Sequence, residues 1–253
     1  MWTSIKHFEK PASLEEAYTL IVPGKKVPFS GGSYLTAEQS GEIDTLIAIR
    51  HLLDDRIKMN GKILTIGTGA TLQSLVKYDW SRSPLRLAEC ACLSCPSRNI
   101  RNQRTLGGEI GRQRTNSELF VHLKALDVNL EVIGASSQTM SIREWDGQGI
   151  INALRIDMTA VKKTFCQRFA LIPSAPAVVI VEGVLNKQRL DVVVGGAASV
   201  LSLSSITDMG FPEETLAQVA AQAAVRFKTD QYGSRAYKEH LIRTGLARIV
   251  AEC

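Results

Sequence analysis

The sequence has no apolar run of the length that a membrane-spanning helix requires. Such a helix needs about 20 consecutive apolar residues, and no stretch of this chain approaches that length. The first ten residues, MWTSIKHFEK, also lack the apolar segment of a signal peptide. We therefore expect a cytoplasmic protein with no membrane partner.

Cysteine is scarce and does not form the pattern of a secreted disulfide protein. The chain of 253 residues has five cysteines, an odd number, and three of them crowd together at Cys90, Cys92 and Cys95. A small secreted domain usually carries an even number of paired cysteines. The count is therefore more typical of a reducing compartment.

Several functional signatures are also absent. Aromatic residues make up only 6% of the chain, and the 30 basic residues are spread among 25 acidic ones, so no basic and aromatic face for nucleic acid is indicated. The chain contains no G-x-G-x-x-G, no G-x-x-x-x-G-K-[ST] and no G-x-S-x-G, which removes support for a Rossmann site, a Walker site or acyl transfer. The net charge of +5 favours anionic ligands without naming one.

The pattern of apolar residues predicts an α+β protein of two domains. A capping box at Ser13 and Glu16 predicts an early helix, and short strands at 27–30 and 45–50 complete a small layer within about the first 55 residues. Strands and helices then surround a loop-rich stretch at 81–115. From 164 onward, apolar strands precede two amphipathic helices. We therefore predict domains at 1–163, with subdomains at about 1–55 and 56–163, and at 164–253.

Two Gly-Gly pairs are candidates for binding a phosphate. One follows a strand, as Ser30-Gly31-Gly32-Ser33, and the other lies in the loop-rich stretch, as Thr105-Leu106-Gly107-Gly108-Glu109. Glycine allows close backbone approach, so consecutive N–H groups can converge on a diphosphate. A single pair is more often just a tight turn.

A longer pattern favours the phosphate interpretation. The segment 99–126, NIRNQRTLGGEIGRQRTNSELFVHLKAL, resembles the signature I-R-N-x-x-T-[IL]-G-G-[ND]-I, with an acidic residue and a helix following. The segments PFSGGSYL, TIGTGATLQSL and RAYKEHLIRTGLARIV resemble three further elements in the same order. Together they resemble the FAD-binding (medium) subunit of the molybdenum hydroxylases, the flavoprotein subunits of xanthine dehydrogenase and carbon monoxide dehydrogenase.

That resemblance implies a fold, a cofactor and partners. The fold is a two-part FAD-binding domain of the vanillyl-alcohol-oxidase (PCMH) type, followed by a C-terminal three-stranded sheet with two helices. The cofactor is FAD, which relays electrons from iron–sulfur clusters to NAD or another acceptor. The partners are a molybdenum-cofactor large subunit and a [2Fe–2S] small subunit. The implied cofactor-binding residues are Ser30, Gly31, Gly32, Ser33, Tyr34, Leu35, Asn102, Thr105, Leu106, Gly107, Gly108, Glu109, Glu118 and Lys163.

Four positions depart from the family pattern. Tyr34 replaces the usual Asp or Ser in the first loop, Glu109 replaces an amide or aspartate, and Arg112 and Arg114 replace a small, proline-containing stretch. Two alternatives therefore stay open: a stand-alone FAD-dependent oxidoreductase, and a degenerate subunit without flavin. Glu118 is also explained by a capping box with Thr115.

The cysteine cluster predicts no metal site, because it supplies three ligands where zinc or an iron–sulfur cluster normally takes four.

Overall fold

The structure is a computed structural model that describes residues 2–187, 189–196, 202–206 and 213–253. In chain order the helices are α1 (Leu14–Leu20), α2 (Ser33–Glu38), α3 (Leu72–Lys77), α4 (Leu87–Ser94), α5 (Arg98–Arg101), α6 (Leu106–Gly111), α7 (Glu118–Leu126), α8 (Glu213–Ala224) and α9 (Arg235–Ala251). The strands are β1 (His7–Glu9), β2 (Lys26–Phe29), β3 (Thr45–Ala48), β4 (Ile57–Asn60), β5 (Ile63–Gly67), β6 (Asn129–Ile133), β7 (Ser137–Ser141), β8 (Ile150–Asp157), β9 (Val161–Phe169), β10 (Val179–Asn186), β11 (Arg189–Gly195) and β12 (Ser202–Ile206).

The chain divides into two compact units, and each is built from separate stretches of sequence. Unit 1 comprises the residues up to Leu75, together with Ser97–Gln113 and Val128–Ile156. Unit 2 comprises Val76–Pro96, Arg114–Asp127 and the chain from Asp157 onward. The division predicted from the sequence, at 163/164, instead falls within β9.

Unit 1 contains two sheets. The first is parallel, with strand order β1-β3-β2, and the second has five strands in the order β4-β5-β8-β6-β7. Helix α1 begins as the sequence predicts: Ser13 Oγ accepts from the amide of Glu16 at 3.1 Å, and Glu16 Oε2 accepts from the amide of Ala12 at 2.7 Å. Its buried Ala17 packs in one cluster with residues of both sheets: Ile47, Ile49, Ile133 and Ile150.

Unit 2 is a four-stranded antiparallel sheet, in the order β12-β11-β10-β9, covered by helices on both faces. Alternate residues of β10 point to opposite faces. Val179 and Val181 join the core formed with α8 and α9, whereas Ile180 and Val184 pack with Val121 of α7. Because both faces are covered, β10 is a continuous apolar run without visible alternation.

The C-terminal sheet has one strand more than the three that the resemblance implies. Strands β9 and β12 are both not recognised in the sequence. After Val161, β9 has the exposed pair Lys162 and Lys163 before the buried stretch from Thr164 to Cys166. Two adjacent lysines break the period-two pattern by which a half-buried strand is recognised. The α+β class, with a two-part first region and two C-terminal helices, is confirmed.

Replacing Asp230 by asparagine should destabilise unit 2 in a pH-dependent way. Lys238 of α9 is only 1% exposed and donates to Asp230 Oδ1 at 2.7 Å. This hydrogen bond lowers the pKa of Asp230 below its usual 3.8. We expect Asp230→Asn to reduce the free energy of unfolding by about 2 kcal/mol at pH 7, because Lys238 then stays buried without its counterion.

The sign of the pH dependence follows from the lowered pKa. The pair stabilises the fold above pH 3.8, and that stability is lost as the pH falls through the folded-state pKa of Asp230. Urea unfolding should therefore give a lower free energy of unfolding for Asp230→Asn than for the wild type at pH 7. This difference in free energy should become smaller at low pH. Glu213→Gln, which disrupts an exposed pair with Arg243, is the control with little effect. A gap for Asp230→Asn that does not change with pH would contradict this account.

Candidate functional site

The first Gly-Gly pair lies in unit 1, between the end of β2 and the start of α2. Gly32 has a φ of 68°, in the left-handed region that favours glycine. A Cβ at Gly31 would lie 2.0 Å from the carbonyl oxygen of Gln103, which precedes the second pair. The loops that carry the two pairs are therefore in direct backbone contact, and only glycine fits at Gly31.

The two pairs differ in the availability of their amides. Among the described residues, the amides of Gly31, Gly32 and Ser33 donate no hydrogen bond. In contrast, the amide of Gly107 donates to Thr68 O at 3.0 Å, and that of Gly108 donates to the Thr105 hydroxyl at 3.3 Å. Thr105 is the N-cap of α6, so the second pair uses its amides to begin that helix.

A cavity of about 370 Å³ opens beside the two loops in unit 1. Its wall also includes the segment after Trp145, in which Gly147 and Gly149 both have positive φ. Ser30 is one of the residues that line this cavity, and its Oγ is buried without a hydrogen-bond partner among the described residues. A buried hydroxyl without a partner is unfavourable, so this atom points to a ligand that would satisfy it.

Nine of the sequence-predicted residues line this cavity. They are Ser30, Gly31, Gly32, Ser33, Tyr34, Leu35, Thr105, Gly107 and Gly108. Three others lie in unit 1 outside the lining: Asn102 is exposed at the end of α5, and Leu106 and Glu109 are buried.

Two of the departures from the family pattern contact each other. The Tyr34 hydroxyl donates to Glu109 Oε2 at 3.0 Å, although 75 positions separate the two residues. Arg104 joins them, donating to the Tyr34 hydroxyl at 2.9 Å and to Ser33 Oγ at 3.1 Å. Its guanidinium lies 3.6 Å from Glu109 Oε2 and 3.9 Å from the centre of the Tyr34 ring. We call Tyr34, Arg104 and Glu109 the loop-bridging cluster, because it connects the two loops.

The two arginines that replace the small, proline-containing stretch lie in different units. Arg112 lines the cavity and forms an ion pair with Glu38 of α2, with both side chains about half exposed. Arg114 belongs to unit 2, where its Nε donates to Asn116 Oδ1 at 3.1 Å. The cavity lining therefore includes a cationic residue that pairs with an acidic residue of α2.

The last two predicted residues, Glu118 and Lys163, lie in unit 2. Glu118 is 1% exposed, and its carboxylate pairs with Arg168 at 2.5 Å. Burial raises the pKa of the Glu118 carboxyl, and the hydrogen bond from Arg168 opposes that rise. Lys163 is exposed and donates to the carbonyl of Glu252.

The prediction that Thr115 forms a capping box with Glu118 is wrong, because a different residue caps the helix. Ser117 is the N-cap of α7, with its hydroxyl accepting from the amide of Phe120 at 3.2 Å. The Thr115 hydroxyl instead donates to the carbonyl of Gly196 at 2.9 Å. Ser117 and Thr115 are both good capping residues, and the sequence alone does not choose between them.

Sequence reasoning missed Arg104 and the wall at 145–151. Arg104 is one of three arginines between 98 and 104, and nothing in that spacing distinguishes it from Arg98 and Arg101. The wall had a weak signal in Gly147 and Gly149, which frame a turn between β7 and β8. The three crowded cysteines do not form a metal-ligating group of their own within the described part of the chain.

Residues 4–148 match the family described as the FAD binding domain in molybdopterin dehydrogenase. The chain belongs to this family, and its cofactor is FAD. The match covers more than half of the chain and includes both glycine pairs, the loop-bridging cluster and the wall at 145–148.

Known proteins resemble the chain over nearly its whole length. The uncharacterised protein YgfM of Escherichia coli K12 is 29% identical over 260 residues, which is 98% of this chain and 96% of that protein. Carbon monoxide dehydrogenase from Hydrogenophaga pseudoflava matches in structure with a TM-score of 0.81, at 17% identity and 98% coverage of each chain. Quinoline 2-oxidoreductase from Pseudomonas putida 86 matches with a TM-score of 0.80, at 17% identity and 98% and 96% coverage. At 17% identity, the structural matches show that this chain has the same fold as the two matched chains.

The described part of the FAD protein has no helix with the length and apolar character needed to cross a membrane.

Proposed function

We propose that this chain is the FAD-binding, electron-transferring subunit of an oxidoreductase complex of the molybdenum hydroxylase type. The observation that carries the proposal is the cavity in unit 1. Its lining includes Gly31, Gly32 and Ser33, whose amides donate no hydrogen bond within the described structure, and Ser30, whose buried hydroxyl has no partner there. Its support from comparison is the match of residues 4–148 to the FAD-binding family.

The residues of this wall fit the diphosphate of FAD. Gly31, Gly32 and Ser33 offer consecutive N–H donors with no side chain at the two glycines, and the Ser30 hydroxyl adds a fourth donor. Arg112 places a cation on the same cavity. Donors of this kind recognise phosphate oxygens. The amides of Gly107 and Gly108 donate within the protein and would support the loop. The Thr105 hydroxyl accepts from Gly108, so its own proton could be donated to the cofactor.

The remaining residues predicted from the resemblance take supporting positions in this proposal. Leu35 would contribute apolar surface to the cavity wall, and Leu106 and Glu109 would hold the second loop from beneath. Asn102, Glu118 and Lys163 stay candidates for contact with other parts of the cofactor, although the structure engages the side chains of Glu118 and Lys163 with Arg168 and the Glu252 backbone.

Bound FAD would supply reversible uptake of one or two electrons, which allows exchange between single-electron and two-electron carriers. This chain would hold and orient the cofactor. The complex we propose is xanthine dehydrogenase-like: a molybdenum-cofactor large subunit oxidises the substrate, a [2Fe–2S] small subunit carries single electrons, and NAD or another acceptor receives them. The five free cysteines support a reducing compartment, which we take to be the cytoplasm.

Isolation of the chain from its native host, with a tag that does not bind metals, tests this function. We expect a yellow protein that co-purifies with two further chains, one holding a molybdenum cofactor and one holding an iron–sulfur cluster. A yellow protein that turns over a small molecule without partners would favour a stand-alone oxidoreductase. A colourless protein that does not take up added FAD would refute the proposal.

Replacing Ser30 by alanine should change stability and cofactor binding in opposite directions. Removal of a buried hydroxyl without a partner should raise the free energy of unfolding of the FAD-free protein, by about 1 kcal/mol. Loss of a donor to the diphosphate should weaken FAD binding about tenfold. Thermal unfolding without FAD and fluorescence titration with FAD measure the two effects. Equal FAD affinity in wild type and Ser30→Ala would exclude this hydroxyl from the site.

A further inference from the structure

Unit 2 contains a buried group of metal-ligating side chains that flavin binding does not use. Cys90 of α4, His122 of α7 and Glu182 of β10 are each 0% exposed, and their ligand atoms all lie within 4.8 Å of one another. His122 Nδ1 lies 3.0 Å from Glu182 Oε2, and Cys90 Sγ lies 3.9 Å from Glu182 Oε1. Three different elements thus direct potential ligands to one point.

A candidate for a fourth ligand, outside the group of three, lies on the neighbouring strand. Cys166 of β9 is the direct cross-strand partner of Glu182 in the antiparallel register, so their side chains lie on the same face of the sheet. Cys90, burial and Glu182 together raise the pKa of the Cys166 thiol, which lies beside the group of three. The sequence could not show that Cys166 lies near Cys90, because 76 positions separate the two residues.

The group is not balanced by other residues. No Lys or Arg of the described chain pairs with the buried carboxylate of Glu182. Two cations on elements packed nearby, Arg86 and Arg168, pair with Glu89 and Glu118 instead. The His122 imidazole, 3.0 Å away, is the only basic side chain that pairs with Glu182 within the described part of the chain. A metal cation would add the positive charge that stabilises a buried carboxylate.

The His122 ring is held by a hydrogen bond on one side only. The ring is completely buried, its Nδ1 faces Glu182, and its Nε2 has no hydrogen-bond partner among the described residues. Hydrogen bonds within the described part of the protein therefore leave this buried ring incompletely satisfied. A cation shared with Glu182 would bind Nδ1, the nitrogen on the side of the carboxylate.

We propose that Cys90, His122, Glu182 and Cys166 form a structural zinc site. Two thiols, one imidazole and one carboxylate are ligands that Zn²⁺ takes in closed four-coordinate sites, whereas Mg²⁺ and Ca²⁺ prefer oxygen ligands alone. Zinc bonds of about 2.0–2.3 Å place ligand atoms roughly 3–4 Å apart. Two separations in the group of three are 3.0 and 3.9 Å, and all three ligand atoms lie within 4.8 Å of one another. Binding releases the protons of both thiols to solvent, leaving two thiolates and a neutral imidazole around the ion.

The site would bind together four elements of unit 2. Helices α4 and α7 belong to stretches that lie far before the sheet in sequence. A zinc ion held by both helices and by β9 and β10 would fix these stretches to the sheet in a way that apolar packing alone does not specify.

Metal analysis of the full-length protein tests the site. The protein is purified without chelator and without a polyhistidine tag, and its zinc is measured by plasma mass spectrometry. We expect about one zinc per chain, on the pattern of closed structural sites. Cys90→Ser should lower the bound zinc at least about tenfold, whereas Cys92→Ser, on the same helix but outside the group, should retain it. Equal zinc content in the two variants would overturn the proposal.

A measurement on the wild-type protein keeps the test decisive if Cys90→Ser does not fold. The chelator-treated protein is titrated with Co²⁺, and thiolate ligation should produce a sulfur-to-cobalt charge-transfer band that added Zn²⁺ removes. Absence of that band, together with no uptake of Zn²⁺ by the same sample, would refute the site. Neither readout depends on flavin, because the cavity for FAD lies in unit 1.

Discussion

Gly31→Ala should yield a protein that retains almost no FAD. The added Cβ would lie 2.0 Å from the carbonyl oxygen of Gln103 and 3.2 Å from the amide nitrogen of Thr105. Both neighbours are backbone atoms, so the two loops must separate to relieve the clash. Overpacking of this kind costs about 3 kcal/mol, and the same displacement moves the free amides of Gly32 and Ser33. We expect the FAD affinity to fall about 100-fold, as measured by fluorescence titration.

Gly41→Ala is the matched control for this variant. Gly41 lies in the turn between α2 and β3, and a Cβ there would meet no atom within 4 Å. We expect its FAD affinity to equal that of the wild type. If Gly31→Ala also binds FAD with unchanged affinity, then the contact between the two loops does not shape the cofactor site.

Arg104→Ala should have the largest effect on the stability of unit 1. Arg104 is 8% exposed and supplies a cation to Glu109, which is 0% exposed. Its removal leaves a buried carboxylate without that cation, and such changes cost about 3–5 kcal/mol. The hydrogen bonds to Ser33 and Tyr34 are lost together with the ion pair. Urea unfolding should therefore show a large decrease in the midpoint, and FAD should be lost because Ser33 is no longer held.

Two further variants separate charge from geometry in the loop-bridging cluster. Arg98→Ala removes an exposed arginine from the preceding helix α5 and should change neither stability nor FAD content. Arg104→Lys keeps the charge but lacks the planar fork that reaches two partners, so we expect an intermediate loss of stability. A variant Arg104→Ala as stable as Arg98→Ala would show that Glu109 does not depend on the guanidinium.

Much of the fold could be predicted from local patterns. The capping box at Ser13 and the amphipathic C-terminal helices are signals within a few residues of one another, and the structure contains them. Strand β9 was missed because Lys162 and Lys163 hide its alternation. The discontinuous units could not be predicted, because α4 and α7 pack in unit 2 with strands that follow much later in the chain.

The two glycine loops of the candidate site could be predicted from the sequence, but the contacts that join the loops could not. Glycine pairs and their flanking residues are visible in the sequence, and nine of the predicted residues line the cavity. Tyr34 and Glu109 were each interpreted as separate departures, whereas the structure joins them through a hydrogen bond and Arg104. One signal was overlooked: Glu182 is a lone charge in the apolar run VVIVEGVL, and such a residue needs a partner when the strand is buried.

The interleaving of the two units limits how the chain can be shortened. A fragment that ends at Ile156 would keep every stretch that surrounds the cavity. It would also keep α7, whose Val121 and Ala125 normally pack against Ile180, Val184 and Val193 of the missing sheet. The fragment would thus expose an apolar helix face to water, a surface that promotes self-association. Any minimal flavin-binding protein derived from this chain needs a redesigned α7 surface, since a single cut cannot release unit 1.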